Sequence, residues 1–144
     1  MKVKIKRLAS EAVMPKKAHA SDAGFDIVAV SGGWDESESV YVYHTGLAMD
    51  IPEGYVGLLF PRSSIAKKDL ILSNCVGVID SGYHGEVLAK FGLANRPTVK
   101  DSIYRAGDRI MQLIVMPLPD VELVESEDLG WSDRGEGGFG STGM

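Results

Sequence analysis

The sequence predicts an all-β fold, a sandwich or a barrel, on three observations. Short runs rich in β-branched, aromatic and aliphatic residues recur along the chain, turn residues separate them closely, and only one brief stretch looks helical. The first run, Lys2-Val3-Lys4-Ile5-Lys6, alternates charged and apolar side chains with the period of a half-buried strand. Further strands are expected at Phe25–Val30, Val40–Tyr43, Tyr55–Phe60, Leu70–Leu72, Val76–Ile79, Val87–Phe91 and Ile110–Met116. Gly32-Gly33, Pro52-Glu53-Gly54, Ser81-Gly82, Asn95-Arg96-Pro97 and Ala106-Gly107-Asp108 supply the turns between them. Ser63–Asp69 reads as one or two helical turns, with a serine placed to cap them.

No internal repeat and no linker divides the chain, so a single core over residues 1–129 is expected, followed by a segment of different character at 130–144. Gly130–Met144 holds six glycines and two large apolar residues, Trp131 and Phe139, too few to build a core. It also brings Arg134, Phe139, Ser141 and Thr142, a cation, a stacking ring and two hydroxyls among bare backbone amides. Such parts suit a nucleoside phosphate; a frayed terminus is the plainer alternative.

At 144 residues and 15.5 kDa the chain has the size of one domain. A chain of this length buries roughly 70% of its unfolded surface. Fifteen Lys and Arg against twenty Asp and Glu give a net charge of −5, which argues against a protein that tracks a nucleic-acid backbone. A few local arginines can still hold a small anion. Cys75 is the sole cysteine, so no disulfide closes within the chain, as suits a reducing compartment. No run approaches the ~20 apolar residues of a membrane span. Met1–Ser10 alternates charge with apolar residues instead of presenting a signal-peptide core. A cytoplasmic location is expected, with no membrane and no nucleic-acid partner.

Three short segments could carry chemistry. Arg62-Ser63-Ser64 opens the helical stretch, where free N–H groups and a guanidinium would favour phosphate; a capped turn with a surface arginine is the plainer reading of the tripeptide alone. Asn74–Glu86 runs as strand to Asp80, turns, and resumes at Val87–Phe91, which predicts a hairpin. Asp80 is either a general base or a residue bonded to its own turn, and Tyr83 either packs or supports a sugar ring. Gln112 interrupts an apolar strand after Gly107-Asp108-Arg109, and an amide there needs partners; Asp108 and Arg109 could form an ion pair. His19, His44 and His84 make no metal spacing with Cys75, which leaves no ligands for zinc-dependent deamination. Gly-x-Ser-x-Gly, Walker-type and dinucleotide signatures are absent from the sequence.

Taken in order, five segments resemble the five motifs of the trimeric deoxyuridine triphosphatases, the dUTPases. They are Asp22–Ile27, Pro61–Ser64, Gly77–Glu86, Gly107–Ile114 and Arg134–Gly143, and together they reach from Asp22 to Gly143. The hairpin and the glycine-rich tail are the most specific. The resemblance implies a jelly-roll-like β subunit with a flexible glycine-rich C-terminal tail, assembled as a homotrimer whose active sites are shared between subunits. The implied reaction is hydrolysis of dUTP to dUMP and pyrophosphate by water attack on the α-phosphate, with Mg²⁺ on the triphosphate.

Roles then follow onto matching positions. Asp80 would activate the water, and Tyr83 would pack on the deoxyribose and leave no space for a 2′-hydroxyl. Asn74, with the backbone of Gly77, Val78 and Ile79, would read the uracil edge. Arg62, Ser63, Ser64 and Gln112 would hold the phosphates. Phe139 and Gly140 would cover the base, while Arg134, Ser141 and Thr142 take the distal phosphates. Asp26 would support the site indirectly, the metal being held by phosphates and water. His84 stands where the family commonly has Arg or Gln, and Gly92–Arg105 is longer than the usual connection. Trp34 reads as packing or loop cover. Two rivals remain: a deoxycytidine triphosphate deaminase, which would call for a glutamate where Val87–Phe91 stands, and a nucleotide-binding regulator without turnover.

Overall fold

Ten strands and one short helical turn make up the regular structure of residues 1–140, the part of the chain that the computed structural model describes. The strands are β1 (Lys4–Arg7), β2 (Phe25–Val28), β3 (Ser31–Asp35), β4 (Val40–His44), β5 (Leu47–Asp50), β6 (Tyr55–Pro61), β7 (Leu70–Leu72), β8 (Gly77–Ile79), β9 (Leu88–Leu93) and β10 (Arg109–Pro117). They pair antiparallel throughout, in two four-stranded sheets of order β2-β10-β6-β8 and β3-β4-β9-β7, with β1 and β5 as a separate pair. This is the jelly-roll architecture. No helix among the described residues is long and apolar enough to cross a membrane.

Alternation decides which side chains enter the core. Ala89 and Phe91 on β9 point inward while Leu88 and Lys90 point out, and Ile27 on β2 is buried between half-buried neighbours. Met111 and Leu113 of β10 meet Leu59 of β6 and Ile79 of β8, and Leu70 and Leu72 of β7 add to the same core. Tyr43, Phe91 and Tyr104 form an edge-to-face triad within it, with centroids 5.7 to 6.2 Å apart. Both Ile110 and Met111 are buried, which strict alternation forbids; an irregularity in the β10–β2 register between Arg109 and Met111 permits it.

Four sequence expectations change. Gly32-Gly33 is not a turn but the middle of β3, because Tyr43 lies across Gly32: a Cβ there would sit 2.4 Å from the ring. The second unforeseen strand, β5, comes from Leu47–Ile51, a nearly continuous buried run without the alternation that marks a half-buried strand. The Asn74–Phe91 hairpin does not form. β8 pairs with β6, whereas β9 pairs with β4 and β7, so residues 80–87 cross from one sheet to the other. Finally, the helical stretch is a five-residue 3-10 turn, Ser63–Lys67, with Arg62 at its N-cap and no side-chain capping bond.

The last strand ends at Pro117, and residues 118–140 run on without a strand. Trp34 is partly exposed and packs edge-on against Tyr41 at 5.0 Å. The Tyr43 hydroxyl donates to the Tyr104 carbonyl at 2.9 Å, and burial pushes this phenol up to about 12. A raised value in the folded state means that stability is fully present below the ordinary pKa near 10 and is lost as pH rises toward 12. Tyr43→Phe should flatten that alkaline loss, while costing about 1–3 kcal/mol at neutral pH by orphaning a buried carbonyl. Urea midpoints measured from pH 8 to pH 11 check both effects.

Candidate active site

Asp26 is the polar centre of the β2-β10-β6 face. It stands opposite Gln112, which in turn stands opposite Phe60, so these side chains project from one face of three neighbouring strands. Arg62, one residue beyond β6, donates from Nε to Asp26 Oδ1 at 2.6 Å. Arg109, at the start of β10, donates from Nη1 to Asp26 Oδ2 at 3.1 Å. Asp26 and Arg62 are both largely buried. Two guanidiniums on one carboxylate leave a net positive charge. Asp108 does not pair with Arg109; its Oδ2 accepts the Arg105 amide and closes a turn.

Gln112 donates to the Pro61 carbonyl at 3.2 Å and leans over Gly24, where a Cβ would lie 2.7 Å from its Oε1. The amide that interrupts the apolar run therefore faces the strand edges, not the core. Ser64 is half-buried with its hydroxyl 3.1 Å from that of Tyr104, and Ser63 is exposed. A groove of about 210 Å³ is lined by Arg62, Ser64, Lys68, Tyr104, Asp108 and Arg109. Five residues of 3-10 turn carry too little aligned dipole to hold an anion. The cationic character of the groove comes from its side chains, Arg62, Lys68 and Arg109.

A second cavity, about 200 Å³, lies where β8 gives way to the crossing segment. Asn74, Gly77, Val78, Ile79 and Tyr83 line it together with Leu59, Glu86, Val87 and Leu88. An adjoining hollow of about 320 Å³ shares Leu59, Asn74, Gly77 and Leu88. Gly77 is glycine for a packing reason: a Cβ would lie 3.1 Å from the Leu59 Cβ, so backbone rather than side chain forms this wall.

Local bonds shape the crossing segment. The Tyr83 amide donates to the Asp80 carbonyl at 3.2 Å, Gly82 takes φ +85°, and the Tyr83 hydroxyl donates to the Glu86 carbonyl at 3.0 Å. Tyr83 lies over Gly85, where a Cβ would come within 2.5 Å of the phenol oxygen. Glu86 then ties the segment to the other sheet: Oε1 accepts the Gly46 amide at 2.9 Å and Oε2 lies 3.1 Å from His44 Nδ1. The buried Thr45 hydroxyl donates to the Val87 carbonyl at 2.7 Å. Sequence reasoning missed Glu86 and Gly85 as parts of this wall. The sole sequence signal was their place at the end of a motif read as a hairpin.

Asp80 is exposed, and among the described residues its carboxylate bonds to nothing, including its own turn. His84 turns away from the cavity and places Nε2 3.1 Å from Asp50 Oδ1. That hydrogen bond, aided by the Lys4 charge, holds the Asp50 carboxyl below its ordinary range. Arg134 donates to the Gly137 carbonyl at 2.7 Å, while Phe139 is fully exposed and Gly140 takes φ +86°. Neither cavity is lined by residues of this C-terminal arm. Ser141 and Thr142 lie outside the described residues. Of the residues singled out in the sequence, Asp26, Arg62, Ser64 and Gln112 thus form one cluster. Asn74, Gly77, Val78, Ile79 and Tyr83 form another, and no residue lines both cavities.

Comparison with known proteins bears on this arrangement. The family model described as dUTPase matches residues 10–143. The deoxyuridine 5'-triphosphate nucleotidohydrolase of Corynebacterium glutamicum is 39% identical over 142 residues, spanning 98% of this chain and 94% of that protein. A structure of the Staphylococcus bacteriophage 80alpha dUTPase with dUpNHpp superposes with a TM-score of 0.83 at 31% identity, covering 99% of each chain. A dUTPase variant from phage phi11 of S. aureus, whose structure details the coordination of a structural Mg(II) ion, matches with a TM-score of 0.73 at 28% identity over 90% of this chain and 99% of that one.

The two carboxylates differ in a way that stability measurements will read. Asp26→Ala strands two arginines and should cost about 2–3 kcal/mol, whereas Asp80→Asn should change stability by less than about 0.5 kcal/mol. Guanidinium denaturation of both variants beside the wild type tests the contrast.

Proposed function

The chain belongs to the dUTPase family, and from that membership we infer that it hydrolyses dUTP to dUMP and pyrophosphate, lowering dUTP and supplying dUMP for thymidylate synthesis. The observation that carries this reading onto the site is the pairing of a backbone-walled cavity at Gly77–Ile79 with a cationic groove at Arg62 and Arg109. One suits a planar base and its sugar, the other a chain of phosphates.

The backbone of Gly77, Val78 and Ile79 presents donors and acceptors of fixed polarity to the uracil edge, with the Asn74 amide beside them. Cytosine offers the opposite pattern and would leave buried groups unpaired. Close packing of that wall refuses the thymine methyl. Tyr83, fixed by Gly85 below and the Glu86 carbonyl at its tip, closes the sugar side against a 2′-hydroxyl. Arg62, Ser63, Ser64 and Gln112 bind the phosphates, and Asp26 holds Arg62 in place for them.

Asp80 orients the attacking water and accepts its proton. An exposed carboxylate with no partner is free for that task, whereas Asp26 is already committed to two arginines. The water attacks the α-phosphorus in line with the departing pyrophosphate, so positioning and charge stabilisation carry most of the rate. Arg134, Phe139, Gly140, Ser141 and Thr142 would close over the nucleotide once it binds and exclude bulk water.

Mg²⁺ is the cofactor that membership of the family implies. Triphosphate oxygens and water would be its ligands, and when bound it would neutralise charge on the leaving pyrophosphate. The homotrimer has a physical motive in the arm: Leu123, Leu129, Trp131 and Phe139 are each at least 87% exposed, more apolar surface than a free arm should show to water. Covering it on neighbouring subunits would also bring Phe139 and Arg134 to cavities that their own subunit leaves open. A cytoplasmic location fits substrate supply and the free Cys75.

Pyrophosphate release with Mg²⁺ should be seen for dUTP and not for dCTP, dTTP or UTP. Asp80→Asn should keep dUTP affinity while turnover falls at least about 100-fold; turnover within tenfold of wild type would remove Asp80 from its role. Deleting Gly135–Met144 should cut turnover severely while leaving the number of subunits found by analytical ultracentrifugation unchanged. A truncated chain that works at full rate would refute the lid.

A further inference from the structure

The connection between β9 and β10 folds back onto the 3-10 turn that follows Arg62. Its contacts fall on the carbonyls of that turn one after another. Arg96 Nη1 donates to the carbonyls of Ile65 at 3.2 Å and Ala66 at 3.3 Å, and the Ser102 hydroxyl donates to that of Lys67 at 3.2 Å. The connection is itself anchored: the Arg96 amide donates to the buried Asp69 carboxylate at 2.7 Å, and the Asp69 amide donates to the Ser102 carbonyl at 2.7 Å. Lys68 closes the set by donating to the Ile103 carbonyl at 3.0 Å, with its ammonium 5.2 Å from the centre of the Tyr104 ring.

Tyr104 carries this support to the groove. Its ring is 3% exposed and held edge-on by Tyr43 and Phe91, while the Tyr43 hydroxyl fixes its carbonyl. The phenol oxygen, at the end of a side chain with no freedom to move, lies 3.1 Å from the Ser64 hydroxyl. A phenol in that position decides where the serine oxygen points. A 3-10 turn is otherwise a soft element, since its hydrogen bonds are poorer than those of an α-helix and this one runs five residues.

We propose that the β9–β10 connection is a buttress that sets the shape of the Arg62–Ser64 phosphate turn, with Tyr104 and Arg96 as positioning residues. The proposal rests on the phosphate role given to that turn above. Tyr104 aims the Ser64 hydroxyl, and Arg96 holds the turn's exit by its carbonyls. Neither residue need touch nucleotide.

Tyr104→Phe keeps the aromatic core and removes only the oxygen. Calorimetry with inorganic tripolyphosphate, which has no base, and with deoxyuridine, which has no phosphate, separates the two cavities. Tyr104→Phe and Arg96→Ala should each weaken tripolyphosphate binding roughly 3- to 10-fold, the range expected for one or two lost hydrogen bonds, and leave deoxyuridine affinity unchanged. Arg96→Lys, which can still donate to a carbonyl, should recover part of the loss. Unchanged tripolyphosphate binding, or equal losses for both ligands, would overturn the buttress. Turnover of dUTP by the wild-type chain tests the dUTPase reading separately: were there none, that reading would fall, and the two-ligand comparison would still decide the role of Tyr104 and Arg96.

Discussion

One carboxylate holding two guanidiniums organises the face that carries the proposed phosphate groove. Asp26 sits on β2, Arg62 follows β6 and Arg109 opens β10, so a single residue draws together three strands of one sheet. A pair as enclosed as Asp26 and Arg62 adds little net stability, because desolvation consumes most of the attraction. Its effect is geometric. It fixes the direction of a long cationic side chain that would otherwise sample many rotamers, and it leaves the surplus positive charge facing the groove. Gln112 completes the same face by bonding the Pro61 carbonyl, which steadies the backbone just before Arg62.

The second cavity is organised by backbone instead of charge. β8 lies so close to β6 that a Cβ at Gly77 would crowd Leu59, and the segment that follows crosses to the opposite sheet. That crossing holds both Asp80 and Tyr83. It is pinned at its far end by Glu86, Thr45 and the Val87 carbonyl, while among the described residues the Asp80 carboxylate has no partner. A segment rigid at one end and free at its carboxylate suits the water-activating role proposed for Asp80. Stiffness would serve selection of base and sugar, while the open carboxylate retains its hydrogen-bonding capacity for solvent. In the proposed trimer the arm would cover both cavities, so each subunit contributes rigid walls to one site and a closing segment to another.

Legibility from sequence varied with the kind of information involved. The positions of Asp80, Arg62 and Gln112 could be singled out because each is a polar residue beside an apolar strand, a pattern carried by neighbours in the chain. Glu86, Tyr104 and Arg96 could not. Their meaning lies in bonds to Gly46, Ser64 and Ile65, residues thirty or more positions away. The absent hairpin makes the same point: Asn74–Phe91 has every local mark of one, yet β8 and β9 find better partners in different sheets. Local propensity proposes a pairing, and the burial of both faces decides it.

By itself the sequence determined the all-β class, most strands and the family, because these depend on side-chain periodicity, turn chemistry and motifs read in order. Only the tertiary structure decided that Gly32 and Gly33 lie within a strand, with Gly32 beneath Tyr43, that Asp26 binds Arg62 and Arg109 together, and that the β9–β10 connection braces the turn after Arg62. The physical reason is common to all three. Each depends on a close approach between residues distant in the chain, where a missing Cβ, a shared carboxylate or an orphan carbonyl has a partner that no stretch of neighbouring residues can name.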